Sequence, residues 1–372
     1  MHAGSRNFCD IADAGETQRV ASVRSRCAQT PKTMNPKPFI LSLFLATSLY
    51  PATAQPVYPS IGQIVRTDER LDKLLPNDAK IEVLASGFVW SEGPVWVKPQ
   101  GDKPGFLLFS DVPENTVFRW TEKDGLAPFL KPSGYTGLGP YSSEPGSNGL
   151  AIDAQGRLIS SEHGDRRISA MPLGGGGGKV TLADNYRGKR LNSPNDVAVH
   201  PDGSYFFTDP PYGLPNREKS LGPNDIMGVY RIAPDGTVSL FVGDLTRPNG
   251  VAFSPDGKTV YVAQSDGANP LVMAYPLQPN GSAGKGRVVF GADGMKKAGL
   301  TGGFDGMKVD RDGNLWVTGG RGVLVLSAVG ELLGHIKTGV ATSNCAWGDD
   351  GSTLYITADM YICRVRTTAK GF

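Results

Sequence analysis

Cysteine and histidine are scarce, with four of each in 372 residues. Cys9 and Cys27 precede the expected mature start, so only Cys345 and Cys363 remain and a disulfide framework is not required. An excess of one charge is also lacking. The 38 Lys and Arg against 36 Asp and Glu give no basic face for phosphates, which removes nucleic acid as a partner. The apolar run 39–49 falls short of the about 20 residues that cross a bilayer, so no membrane span is expected. There is no Gly-x-Ser-x-Gly elbow, which removes the usual serine hydrolase route. The glycines at 174–178 are followed by Lys179 and Val180, without the Ser or Thr of a phosphate loop, and read as a flexible hairpin.

Glycine is abundant at 49 residues and proline reaches 28; without a collagen period, this points to many turns between short strands and an all-β fold. The segment from Met34, MNPKPFILSLFLATSLYPATAQ, carries Lys37, a short apolar run and the small residues Ala52, Thr53 and Ala54. That is the pattern of a secretory signal peptide over 34–54, so a periplasmic or secreted protein beginning near Gln55 is expected. Residues 1–33 show no hydrophobic periodicity and read as an extension from a start codon assigned too early. A lead-in over 55–79 would then precede a propeller over 80–372.

One unit recurs: a polar residue, a short alternating strand, an Asp-Gly or similar turn, then an aromatic or β-branched strand. The copies lead with Glu92, Asn148, Asn195, Asn249, Asp305 and Asn344, at gaps of 56, 47, 54, 56 and 39 residues. A four-stranded blade needs about 40 to 50 residues, so six copies predict a six-bladed β-propeller whose meanders bury their faces by stacking in a closed ring. The last copy offers strands near 345–348, 353–358 and 361–366 before the chain ends. Its fourth strand must come from elsewhere, and Lys80–Leu84 is the natural candidate. Cys345 and Cys363 would lie on the first and third strands of that blade, about 9.6 Å apart. A disulfide wants Cα atoms within about 7 Å, so two buried free thiols are expected.

The first strand of each blade lines the channel, which sets Glu92, Asn195, Asn249 and Asp305 around one axis. Two carboxylates and two amide oxygens make a hard, all-oxygen cage suited to calcium, whereas zinc would want His or Cys. In propellers that bind no metal, polar residues at this position hydrogen-bond backbone or trapped water, and the pattern alone leaves both readings open.

The strings SEGPVW at 91, FSDVPENTVFRW at 109, SNGLAID at 147, EHGDRR at 162, LNSPNDVAV at 191, FTDPPYG at 207, RPNGVAFSPDG at 247, FDGMKVD at 304 and NCAWGDDGSTLYITA at 344 resemble one family. It is the group of gluconolactonases, regucalcin and luciferin-regenerating enzyme, with squid-type diisopropylfluorophosphatase as a more distant relative. The resemblance covers essentially the whole mature chain, and its bacterial secreted branch is nearest in character. It implies that Glu92, Asn195, Asn249 and Asp305 ligate calcium, with Mg2+, Mn2+ or Zn2+ as other possible occupants, and that the reaction is hydrolysis of a small lactone or sugar-acid derivative. In this sequence Ser193 stands two residues before the channel asparagine, where regucalcin-like members carry arginine, so sugar recognition is expected to differ.

The ion would polarise the lactone, and a base must still take the water proton. Asp305 is the first candidate, because the family gives this aspartate a role beyond ligation; His163 is the second, since imidazole titrates in the useful range. Asn148, Asn195 and Asn344 are assigned to substrate or water contacts, and Tyr212 to a lid or stacking surface. Two alternatives remain: hydrolysis of phosphotriesters or other esters on the same site, and a non-catalytic propeller that binds a sugar or a protein around a structural calcium. The sequence does not decide between monomer and dimer.

Overall fold

Turn chemistry repeats in register with the strands. After the first strand of blade 2, the Asp153 carboxylate accepts from the N–H groups of Gln155 and Arg157 at 3.0 and 2.9 Å, and Gly156 takes φ +72°. Asp310 does the same in blade 5, accepting from Asp312 and Asn314 at 3.0 and 2.8 Å, with Gly313 at φ +86°. Its second oxygen accepts from the Trp316 indole at 3.1 Å. Each Asp thus satisfies the backbone of a tight turn that only glycine completes at low cost.

These turns join the strands into sheets. The structure, a computed structural model, describes residues 56–372 apart from Gly175 and Asn224. The extension read at 1–33 and the leader read at 34–54 lie outside the described residues. There are six antiparallel meanders: blade 1 over 91–130, blade 2 over 147–183, blade 3 over 197–242, blade 4 over 248–291, blade 5 over 304–337 and blade 6 over 344–366. The first strand of each blade touches the first strands of the blades on either side, and that of blade 6 returns to blade 1. The architecture is a closed six-bladed β-propeller around a channel.

Closure uses the chain before blade 1, as the repeat count requires. Ile81–Ser86 pairs antiparallel with Tyr361–Arg366 and supplies the fourth strand of blade 6. The segment before it does more than lead in. Ser60–Ile61 adds a fifth strand to blade 6, and Gln63–Arg66 pairs with Leu332–Lys337 as a fifth strand of blade 5. The 3-10 turn Glu69–Lys73 buries Leu71, and Leu71, Leu75 and Ile81 pack with Trp316 and Trp347. Burying three such side chains contributes roughly 5 to 9 kcal/mol, comparable with the whole stability of an ordinary domain.

The core lies between blades. Trp316 of blade 5 meets Trp347 of blade 6 edge to face at 5.0 Å, and Phe206 of blade 3 meets Phe253 of blade 4 in the same way at 5.2 Å. Ile356 faces Cys345 on one side and Cys363 on the other, so a whole strand separates the two thiols. Both are free and buried. Among the described residues no helix is long and apolar enough to cross a membrane.

Candidate active site

In four of the six repeats the polar leader is turned into the channel by its C-terminal neighbour. Glycine stands next in four copies, as Gly93, Gly149, Gly250 and Gly306, and each of these four first strands carries a register irregularity at that point. The reason is proximity. A Cβ on Gly93 would lie 2.0 Å from the Asn148 carbonyl, and one on Gly250 2.4 Å from that of Asp305. Neighbouring inner strands hydrogen-bond through this gap, with Gly149 N–H donating to Asn195 O and Gly306 N–H to Ser343 O, both at 2.7 Å. Hydroxyls of second strands hold the same backbone: Ser110 donates to Asn148 O at 3.0 Å, Thr208 to Asn249 O at 2.7 Å and Thr318 to Ser343 O at 2.8 Å. The bulge turns the leading side chain inward.

The result is a concentration of acceptors that outnumber their donors. The Oδ1 atoms of Asn148, Asn195, Asn249 and Asp305 are inaccessible to solvent and have no hydrogen-bond partner among the described residues. Glu92 is buried, with Oε2 accepting from Gly93 N–H at 2.7 Å and from the Asn344 amide at 3.3 Å. Burial, together with the negative charge of Asp196, pushes the Glu92 carboxyl up to about 8, against the pull of the Gly93 N–H. Asp305 is raised well above the usual carboxylate range by burial first and then by the charges of Glu92, Asp196 and Glu144, against the pull of the Asn249 amide. Buried acceptors with no donors are costly, and a hard cation is what such a set satisfies. Glu92, Asn195, Asn249 and Asp305 could hold one, with Asn148 Oδ1 in the same state. Among the described residues, no group of three or more His, Cys, Asp and Glu side chains could hold a metal ion; any cation here would rest on carboxylate and amide oxygens together.

Two charged residues that the sequence reading did not single out sit with this set. Asp196 is buried and feels Lys308, and the Lys308 ammonium donates to Met307 O at 3.0 Å and to Asn344 Oδ1 at 3.4 Å. Asn344 also accepts from Cys345 N–H at 2.9 Å and donates to Glu92, so both ends of this expected substrate contact are already bound by the protein. Both newcomers are exceptions to the repeat. Asp196 stands where four copies have glycine, and Lys308 three residues after its leader, where the others have Val95, Ala151, Ala198, Ala252 and Trp347.

A cavity of about 540 Å³ includes Asp305 and is bounded by Trp90, Ser265, Phe304, Arg321, Lys337 and Thr342. A second, of about 560 Å³, is lined by apolar inner-strand residues such as Leu150, Val251 and Trp347, and of the charged network it includes only Lys308. The first has the chemistry. Tyr212 lies near it: its hydroxyl is 2.5 Å from Ser265 Oγ, to which the Asn249 amide donates at 3.4 Å. Burial and the charge of Asp305 hold the Tyr212 phenol up at about 12. Ser193, at the departure from the regucalcin pattern, donates to Pro210 O at 2.6 Å and accepts from Gly213 N–H at 3.0 Å, pinning the loop that carries Tyr212.

His163 is fully buried, and a Cβ on Gly213 would lie 2.4 Å from its ring. Its Nδ1 is 3.1 Å from Glu144 O. A carbonyl can only accept, so the proton is on Nδ1 and Nε2 carries a lone pair, with no partner among the described residues. Burial lowers this imidazole to about 4, below its unfolded value near 6.5. The stability it contributes is therefore complete above about pH 6.5 and is lost as pH falls toward 4, by roughly 3 kcal/mol. Denaturant unfolding at pH 7 and pH 4 should show a smaller acid loss in His163→Asn than in the parent by about that amount.

The fold and site define a propeller with an acceptor-rich channel mouth opening into a cavity. Residues 90–359 match the family model described as the SMP-30/Gluconolactonase/LRE-like region, and the chain belongs to that family of gluconolactonase-like proteins. It is 41% identical over 320 residues to a gluconolactonase of Zymomonas mobilis, covering 84% of this chain and 88% of that one. A solved gluconolactonase from Xanthomonas campestris superposes with TM-score 0.69 at 32% identity, over 84% of this chain and 99% of the other. A calcium-binding regucalcin from Agrobacterium tumefaciens shares the fold with TM-score 0.61 at 20% identity, over 78% and 94% of the two chains.

Proposed function

We propose that the protein opens small sugar lactones by hydrolysis, with a divalent cation, calcium by the chemistry of the donors, held by Glu92, Asn195, Asn249 and Asp305. The observation that carries this reading is the set of buried, partnerless oxygens of Asn195, Asn249 and Asp305 beside the carboxyl of Glu92. When bound, the cation would polarise the lactone carbonyl and stabilise the negative charge that develops as water attacks. The chain's own residues do the rest. Asp305 borders the cavity, which supports it as the group that takes a proton from the attacking water. His163, sealed behind Gly213 and the Glu144 carbonyl, does not border that cavity, which favours Asp305 as the base and leaves His163 to hold the Tyr212 loop. Trp90 borders the cavity and Tyr212 reaches its edge through Ser265, while Lys308 offsets the charge of Asp196 and Glu92.

Export belongs to the same proposal; N-terminal sequencing of protein recovered from outside the cytoplasm should start near Gln55. The decisive measurement is acid release in a pH-indicator assay with glucono-δ-lactone and a panel of other lactones, before and after chelation. Turnover should vanish with chelator and return with calcium. Turnover indifferent to chelation would remove the cation, and no turnover of any ester would leave a binding propeller.

A further inference from the structure

The rim of the Asp305 cavity carries two cations with no side-chain partner among the described residues. Arg321 and Lys337 both border it and both are exposed. Neither makes an ion pair or a side-chain hydrogen bond among the described residues. Arg217, Arg247 and Arg166, which do not border this cavity, are engaged: Arg217 with Glu144 at 2.8 Å, Arg247 with Glu218 at 2.9 Å, and Arg166 with Leu191 O at 2.6 Å.

Register shows why the two meet. In blade 5, Phe304 faces Gly319, Gly319 faces Gly322, and Gly322 faces Lys337. Arg321 is in the two-residue turn Gly320-Arg321 between the second and third strands. One end of a single blade therefore carries Asp305, Arg321 and Lys337, in order from the channel outward. With strands about 4.8 Å apart, the base of Arg321 lies roughly 5 to 10 Å outward of Asp305, the scale of an extended six-carbon chain. The turn takes a left-handed backbone, as do Arg166, Arg187 and Arg217 elsewhere in the chain. Arg321 has φ +64° and Gly320 φ +57°, where such hairpins ordinarily use Gly, Asn or Asp.

We propose that Arg321 and Lys337 form an anion subsite, and that the preferred substrates are lactones bearing a carboxylate or phosphate at the end remote from the reacting carbonyl. Arginine supplies a planar fork for either group and lysine a second point charge. The subsite rests on the lactone-hydrolase reading, and its test is arranged so that the two can fail separately.

The probes are glucono-δ-lactone as the neutral member, glucaro-1,4-lactone for a carboxylate and 6-phosphoglucono-δ-lactone for a phosphate. At low salt kcat/KM should favour at least one anionic lactone by about tenfold, chiefly through KM, and the advantage should shrink in 0.5 M salt as screening grows. In the double variant Arg321→Asn with Lys337→Gln the anionic-to-neutral ratio should fall to about one. Arg321→Asn by itself suits the turn better, so its melting temperature should hold or rise while the preference weakens, which a merely structural arginine would not produce. Equal rates on neutral and anionic lactones, or a ratio unchanged in the double variant, would overturn the subsite and leave the hydrolase standing. If no lactone is opened, the hydrolase reading fails and calorimetry with glucarate and 6-phosphogluconate decides the subsite. Binding weakened at least fivefold by the double variant supports it; equal or absent binding overturns it.

Discussion

Asp305→Asn will lower kcat/KM for lactone opening by about a thousandfold, equivalent to about 4 kcal/mol of transition-state stabilisation, and will at the same time stabilise the chelator-treated protein. Both effects come from one side chain. Asp305 borders the cavity, and its Oδ1 has no donor; asparagine preserves the shape but supplies neither a charged ligand nor a proton acceptor. Without a cation, the carboxyl is raised by burial and by Glu92, Asp196 and Glu144. A carboxylate raised in the folded state contributes most below its unfolded value and becomes a cost as pH rises. Replacing it by a neutral amide removes that cost, so the melting temperature in chelator at pH 8 should rise. Steady-state kinetics and paired melts check the two halves, and unchanged activity would detach Asp305 from the chemistry.

Gly93→Ala will cost about 2 to 4 kcal/mol of stability. Gly93 sits at φ +50°, and a Cβ there would lie 2.0 Å from Asn148 O and 2.9 Å from Gly149 Cα. A left-handed alanine costs about 1 to 2 kcal/mol, and forcing extra volume into a packed site typically costs about 1 to 3 kcal/mol. Both obstacles are backbone of the next blade, so no side chain can rotate away. Relief requires the first strands of blades 1 and 2 to separate at the level of Glu92. Gly139→Ala is the control, since nothing lies within 4 Å of its Cβ position and its stability should be unchanged. Equilibrium urea unfolding measures both, and a Gly93→Ala protein as stable as the control would refute the close approach of the inner strands.

Much of this architecture was legible because a propeller writes its geometry periodically. The spacing of Glu92, Asn148, Asn195, Asn249, Asp305 and Asn344 gave the blade count, and the short last copy required the strand found at Ile81–Ser86. The fifth strands from Ser60–Ile61 and Gln63–Arg66 were not legible, since two- and four-residue edge strands carry no hydrophobic period. Asp196 and Lys308 broke the repeat at single positions, a signal visible only when the six copies are compared column by column. Glu144, Ser265 and Trp90 left no signal, because they come from connections whose lengths differ from blade to blade.

The ring and its polar lining were written locally along the chain: alternation sets each strand's faces, Asp and Gly set the turns, and a glycine after the leader lets inner strands touch. Which charges share a space was settled only on folding. Asp196 with Lys308, and Asp305 with Arg321 and Lys337, meet because ring closure and strand register bring distant positions together, and those are properties of pairing between strands that no single strand contains.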